Sequence, residues 1–171
     1  AFHVDFDSLP RIIAEQGSMV MKEGAEELGT WIKLKMLSFQ DSWVCSPNDN
    51  KASKELVKFS EDGKVDREGN CLFEHLRFLK EEGHAKAKIS HRLVVVGELL
   101  ATGNGAGPIE DLVQIDLSET GRKSFNTYTL QASYKVAKGK FSAEDATILK
   151  MTAAKARSAN NEVYTKVDVS V

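Results

Sequence analysis

Cationic side chains recur in this sequence at every second residue, with aromatic rings set among them. Trp31, Lys33 and Lys35 alternate with Ile32, Leu34 and Met36, so a strand there sends one set to a core and the other to water. The same rhythm gives Lys54 and Lys58, then Lys86, Lys88 and Arg92, then Lys155 and Arg157, then Tyr164 and Lys166. Phe39 and Trp43 add rings to the first segment. Cations in such rows neutralise phosphates, and exposed rings stack on bases whatever their identity. Each stacked base contributes about 1–3 kcal/mol, so a few rings with several phosphate contacts suffice for useful affinity. Outward lysines also keep a sheet soluble and blunt its edges, which explains each cation singly. It explains less well why acids are scarce in those rows and crowd the turns and the N-terminal residues.

Other chemistries find fewer residues. Cys71 and His75 stand four apart, a spacing that lets both face one zinc ion from a helix. Zinc motifs bring a second close pair, however; Cys45 stands alone, and His91 falls on the apolar side of its segment. No G-x-S-x-G or H-E-x-x-H signature occurs, and no cysteine is flanked by residues that depress its pKa. His3, His84 and His91 fall in an arm, a turn and a strand, and do not converge. Carboxylates at Glu26–Glu27, Asp62/Asp66 and Glu81–Glu82 fall in turns or at helix ends, where acids are commonplace. Gly103-Asn104-Gly105-Ala106-Gly107 is glycine-rich enough to wrap a phosphate. Pro108, Glu110, Asp111 and a strand follow it, where a helix N-terminus would have to stand. The expectation is a protein with no catalytic residues, no metal and no cofactor.

The elements that must position the cationic rows follow from periodicity and punctuation. Residues 1–29, with Pro10, Gly24 and Gly29, read as an N-terminal arm with a short helix, and residues 30–171 as a single domain. A first strand from Thr30 turns at Phe39-Gln40-Asp41-Ser42 and returns through Trp43–Ser46; Pro47–Asn50 is a loop. Alternation predicts a strand over Lys54–Phe59, ended at Asp62-Gly63. Asn70 as N-cap, with Leu72, Phe73, Leu76 and Leu79 at helical spacing, predicts a helix stopped by Gly83. Lys86–Ala101 is the best long strand, followed by the glycine loop and a strand over Leu112–Leu117. Ser118 caps a second helix ending at Gly139, and Ser142–Asp145 reads as a capping-box turn. Two last strands, Ile148–Arg157 and Val163–Val171, meet around Asn160-Asn161. Six or seven strands joined mostly by short turns, with two or three helices, predict a β-rich α+β fold. An OB-like, mainly antiparallel barrel or curled sheet with inserted helices fits best.

Composition narrows the class. The 171 residues are 42% hydrophobic and 28% charged, enough apolar content for one domain to bury a core without staples. No apolar run approaches the roughly 18–20 residues of a membrane span, and the first residues carry no signal-like segment. Two cysteines are too few for a disulfide framework, which points to a reducing, cytoplasmic setting. The formal charge of −2 hides an asymmetry. Residues 1–118 hold 14 Lys and Arg against 20 Asp and Glu, whereas residues 119–171 hold 9 against 5. A polyanion would therefore be met by a local patch, not by a polycation.

The run Gly29-Thr30-Trp31-Ile32-Lys33-Leu34-Lys35-Met36-Leu37-Ser38-Phe39-Gln40-Asp41-Ser42-Trp43, continuing Val44-Cys45-Ser46-Pro47, is similar to the first hairpin of bacteriophage single-stranded DNA-binding proteins of OB type. Leu112–Ser118 running into Arg122-Lys123-Ser124-Phe125 resembles the same family. Together these stretches cover about a fifth of the chain and do not form a defined motif. The resemblance implies an OB barrel that coats single strands in viral replication or recombination, within the host cytoplasm. It gives Trp31, Lys33, Lys35, Phe39 and Trp43 the stacking and phosphate roles. Such proteins commonly end in an acidic tail, whereas this sequence ends in Tyr164–Val171, which reads as a strand. The expected partner is single-stranded DNA, with RNA the other ligand such a groove accepts. Replication or recombination proteins and further copies of the chain are compatible partners; a membrane is not. The rival expectation is a viral assembly or host-inhibiting module that binds a protein through a sheet face and no nucleic acid.

Overall fold

The structure is a computed structural model that describes residues 9–22, 26–49, 51–105, 112–159, 161 and 163–170. Nine strands and two α-helices occur among them: β1 (Arg11–Glu15), β2 (Ser18–Met21), β3 (Glu27–Gly29), β4 (Trp31–Ser46), β5 (Lys58–Ser60), α1 (Leu72–Glu81), β6 (Lys88–Thr102), β7 (Leu112–Leu117), α2 (Glu119–Ala137), β8 (Ile148–Arg157) and β9 (Val163–Ser170). The strand order is β3-β2-β1-β7-β6-β4-β8-β9, with β5 paired to β4. The pairs β1–β2, β2–β3, β4–β5, β4–β8 and β8–β9 are antiparallel and β1–β7 is parallel, so the sheet is mixed. The fold is thus strand-rich with two helices. Neither helix is long and apolar enough to cross a membrane. By internal contacts the chain divides into two compact units, residues 1–39 with 94–171 and residues 40–93, and β4 and β6 each contribute to both.

In the first unit, alternation builds the core. Ile32 and Leu34 of β4, Leu149 and Met151 of β8, and Val167 and Val169 of β9 are buried, and their even or odd neighbours are not. Residues expected as an arm with a short helix form β1, β2 and β3 instead. Gln16 (φ 51°) and Gly17 (φ 80°) both take the left-handed conformation a two-residue hairpin needs, closing Glu15 onto Ser18. Buried Gln114 ties this hairpin to β7, donating from Nε2 to the Leu9 carbonyl at 3.0 Å. Ser118 precedes α2 as expected, and Gly121, Phe125, Tyr128 and Ala132 form its buried stripe. A Schellman closure ends it: Lys140 N–H donates to the Lys135 carbonyl and Gly139 N–H to that of Val136. Asp145 N–H donates to Ser142 Oγ, the capping contact expected for that turn.

The second unit has its own small core, in which Cys45, Leu72, Leu79 and Ala87 are buried and Trp43, Leu56, Leu76 and Ile89 pack on them. Leu72, Leu76 and Leu79 supply one face of α1. Cys71, not Asn70, is the N-cap, because the Asn70 N–H and carbonyl are committed to Asp66. Gly83 (φ 96°) stops the helix, with His84 N–H donating to the Leu79 carbonyl and Gly83 N–H to that of Lys80. Two expectations need correction here. Lys54–Phe59 is not one strand: Lys54–Leu56 is a 3-10 turn whose Glu55 N–H is accepted by Ser53 Oγ, and β5 starts at Lys58. No turn occurs at Phe39–Ser42. None of those residues has a positive φ, and β4 runs unbroken for 16 residues.

Strands β4 and β6 approach unusually closely within the first unit. A Cβ at Gly97 would overlap the Lys35 carbonyl oxygen and lie 2.8 Å from Leu34 Cγ. The Gly97→Ala variant is therefore expected to lose about 1–3 kcal/mol in a denaturant titration, the usual cost of overpacking. A variant as stable as the parent would show that the two backbones part without cost.

Candidate nucleic-acid interface

Pairing of β4 with β8 and of β8 with β9 decides which cationic residues share a face. Trp31 lies opposite Thr152, Lys33 opposite Lys150 and Lys35 opposite Ile148. Lys150 then pairs with Ser170, Thr152 with Asp168, Ala154 with Lys166 and Ala156 with Tyr164. Since directly paired residues point the same way, Trp31, Lys33, Lys35, Lys150, Tyr164 and Lys166 occupy one face of the first unit. Every one is exposed or half-buried, while the intervening residues of β4 fill the core. Lys150 was missed by the sequence reading. It sits in the row of Ile148 and Thr152, whose mixed polarity hides the alternation.

Charge on this face is partly balanced. Lys35 Nζ lies 3.6 Å from Glu144, and Lys166 Nζ 3.5 Å from Asp168. Lys33 and Lys150 are different. They face each other across the ladder, and neither forms an ion pair among the described residues. Like charges directly opposite one another destabilise a sheet. Lys150 Nζ sits 5.0 Å from the centre of the Trp31 ring, a cation–π contact on the indole. The five-membered edge of that ring faces Gly103, where a Cβ would stand 3.1 Å from Cδ1.

Other expected site residues are placed elsewhere. Lys155 and Arg157 belong to the opposite face of β8 from Lys150. The Lys155 stem crosses Gly17, and Arg157 Nη1 donates to Asn161 Oδ1 at 3.0 Å. Phe39 is 53% exposed and meets Phe125 at 5.5 Å between ring centres, so α2 holds one side of it. Trp43, Lys54, Lys58, Lys86, Lys88 and Arg92 all belong to the second unit. There Trp43 is half-buried: His91 stacks on it at 4.5 Å and 4°, and a Cβ at Gly63 would stand 3.1 Å from its ring. His91 Nε2 in turn donates to Asp41 Oδ1 at 2.8 Å. Lys54 is exposed on the 3-10 turn, Lys58 Nζ lies 3.6 Å from Glu68, and the Lys86 carbonyl accepts from Asn48 Nδ2. Lys88 is exposed at the start of β6 and Arg92 is half-buried on it.

Among the described residues, no group of three or more His, Cys, Asp or Glu side chains is placed to hold a metal ion. His75 Nε2 is used by the Leu56 carbonyl at 2.6 Å. Residues 106–111 of the glycine loop lie outside the described residues. Its start is already bonded, with Gly103 N–H donating to the Trp31 carbonyl and Asn104 N–H to that of Leu28. A cavity of about 420 Å³ in the second unit is lined by Glu61, Asp62, Val65, Asp66 and Arg67. Two of its carboxylates, Asp62 and Asp66, are turned on their own backbone. Asp62 Oδ1 accepts from Lys64 and Val65 N–H, and Asp66 Oδ1 from Glu68 and Asn70 N–H.

No family model, curated protein or solved structure matches this chain.

Those backbone bonds have a pH consequence. The Lys64 and Val65 N–H groups hold the Asp62 carboxyl below its ordinary pKa, and the Asn70 N–H does the same for Asp66, aided by Glu68 N–H and the charge of Lys58. A carboxyl whose folded pKa is depressed stabilises the fold above its unfolded pKa of about 3.9, and that stabilisation disappears as acid protonates it. Asp66→Asn keeps an acceptor but cannot titrate. Its thermal midpoint should therefore fall less steeply than the parent's between about pH 5 and pH 2. Parallel curves would mean that Asp66 does not contribute to acid sensitivity.

Proposed function

We propose that this chain is a non-enzymatic, sequence-independent single-stranded DNA-binding protein whose OB-like β4–β8–β9 face receives the strand. The observation that carries the reading is the Lys33–Lys150 couple beside Trp31, opposite one another in the register and without a carboxylate partner among the described residues. Two lysines opposite one another in the register cost stability when alone, and a phosphodiester backbone passing between their side chains removes that repulsion. Trp31 offers a ring next to that backbone, and Tyr164, 38% exposed on the same face, offers another. Phosphate contacts and base stacking without hydrogen-bond readout give affinity without sequence preference. RNA would be held by the same groups, since neither contact consults the sugar. Coating of single strands in phage replication or recombination is the role this chemistry suits.

A second reading is supported by α1, where Phe73 is 63% and Phe78 46% exposed. Rings in that position suit a protein contact, whose affinity depends little on salt. Salt separates the two readings.

Titration of intrinsic tryptophan fluorescence with oligothymidylate is the test. Quenching is expected at low salt, fading as salt rises, and surviving in Trp43→Phe but not in Trp31→Phe. Lys33→Glu combined with Lys150→Glu should weaken binding by about tenfold or more at low salt, with the thermal midpoint nearly unchanged, because one like-charged pair replaces another. No quenching of the parent at low salt, or undiminished binding by the double variant, would remove this face as the interface.

A further inference from the structure

Helix α2 carries a charge pattern that the proposed interface does not use. From Thr120 to Ala143 the chain holds Arg122, Lys123, Lys135, Lys138 and Lys140 and no acid at all. The buried stripe of Gly121, Phe125, Tyr128 and Ala132 turns the opposite side of the helix, with Lys123, Thr127, Leu130, Tyr134 and Lys138, to the outside. All five are exposed, Leu130 by 75% and Tyr134 by 61%. Neither lysine has a carboxylate partner among the described residues, and Lys138 Nζ stands 5.7 Å from the Tyr134 ring centre. A 24-residue stretch with hydrogen-bond donors and cations but no carboxylate complements a continuous polyanion.

We infer that the outer face of α2 is a second contact for the phosphodiester backbone of a single strand that also crosses the β4–β8–β9 face, a reading that rests on the proposed function. Continuity supports it. The helix lies on β9, where Val169 N–H donates to Ser124 Oγ at 2.9 Å and Gly121 approaches the Val167 carbonyl. Tyr164 and Lys166 lie on the other face of that same strand, which is the last in the sheet order. A strand leaving Lys150 and Lys166 therefore has only the β9 edge to round before it meets Lys123 and Lys138. An anionic bilayer is the poorer fit. A membrane-surface helix sinks a broad apolar face into the lipid, and the broad apolar face of α2 is already buried against the sheet.

The test uses the whole chain and labelled oligothymidylates of roughly 6 and roughly 16 nucleotides, lengths that bracket a single OB-type site. Lys123→Ala combined with Lys138→Ala should bind the short oligomer as the parent does. It should lose about tenfold in affinity for the long one, with a salt dependence shallower by about 1.4 in log–log slope for two lost phosphate contacts. Lys123→Gln with Lys138→Gln should behave in the same way. Unchanged affinity for the long oligomer, or equal losses for both lengths, overturns the inference and leaves the sheet interface standing. Co-sedimentation with phosphatidylserine vesicles that these variants abolish, beside unchanged long-oligomer binding, overturns it in favour of lipid. A parent that binds neither oligomer brings down the interface itself.

Discussion

In antiparallel β4, β8 and β9, side chains alternate between two environments, and the register leaves no choice about which set is wet. Ile32, Leu34, Leu149, Met151, Val167 and Val169 must leave water together, so Trp31, Lys33, Lys150, Tyr164 and Lys166 must share the other side. A slip of one residue along β8 would bury Lys150 and expose Leu149 and Met151. The apolar set thus specifies the position of the cations from the other side of the sheet. Close approach at Gly97 supports the same arrangement by leaving no room for a side chain over the Lys35 carbonyl.

The two tryptophans illustrate how one residue type serves opposite ends. Trp43 lies between His91 and Gly63 in the small core around Cys45, Leu72 and Leu79, where its ring area contributes to folding. Trp31 instead sits outside the core beside the ammonium group of Lys150, which lies opposite Lys33 in the register. Composition alone counts both as aromatic, and the distinction comes from the partners that the register supplies.

Much of this was legible in the sequence. Alternation at Trp31–Lys35, the spaced valines of the last strand and the glycines after both helices marked elements, and the structure places both helices and the last two strands within a residue or two of expectation. Three failures concern polar residues near turns, two taken for a turn or a cap and one turn not recognised. Asp41 looked like part of a hairpin turn but is the partner of His91 on a neighbouring strand, so β4 continues through it. Gln16-Gly17 makes a tight hairpin without the usual Asn-Gly signature, which left β1 and β2 unseen. Asn70 has the side chain of a helix cap, but the Asp66 turn had already claimed its backbone. The site was legible in part. Alternation grouped Lys33 with Trp31, but only pairing could add Lys150 and send Lys155 and Arg157 to the other face.

The two thiols sit in contrasting surroundings. Cys45 is fully buried in the second unit, and burial pushes its thiol pKa up, whereas Cys71 is exposed where α1 begins. The thiolate is the reactive form, so an alkylating dye or spin label added to the folded protein would attach at Cys71 and spare Cys45. The native chain therefore comes with a single addressable handle, and no cysteine has to be engineered into it or out of it before a reporter is attached.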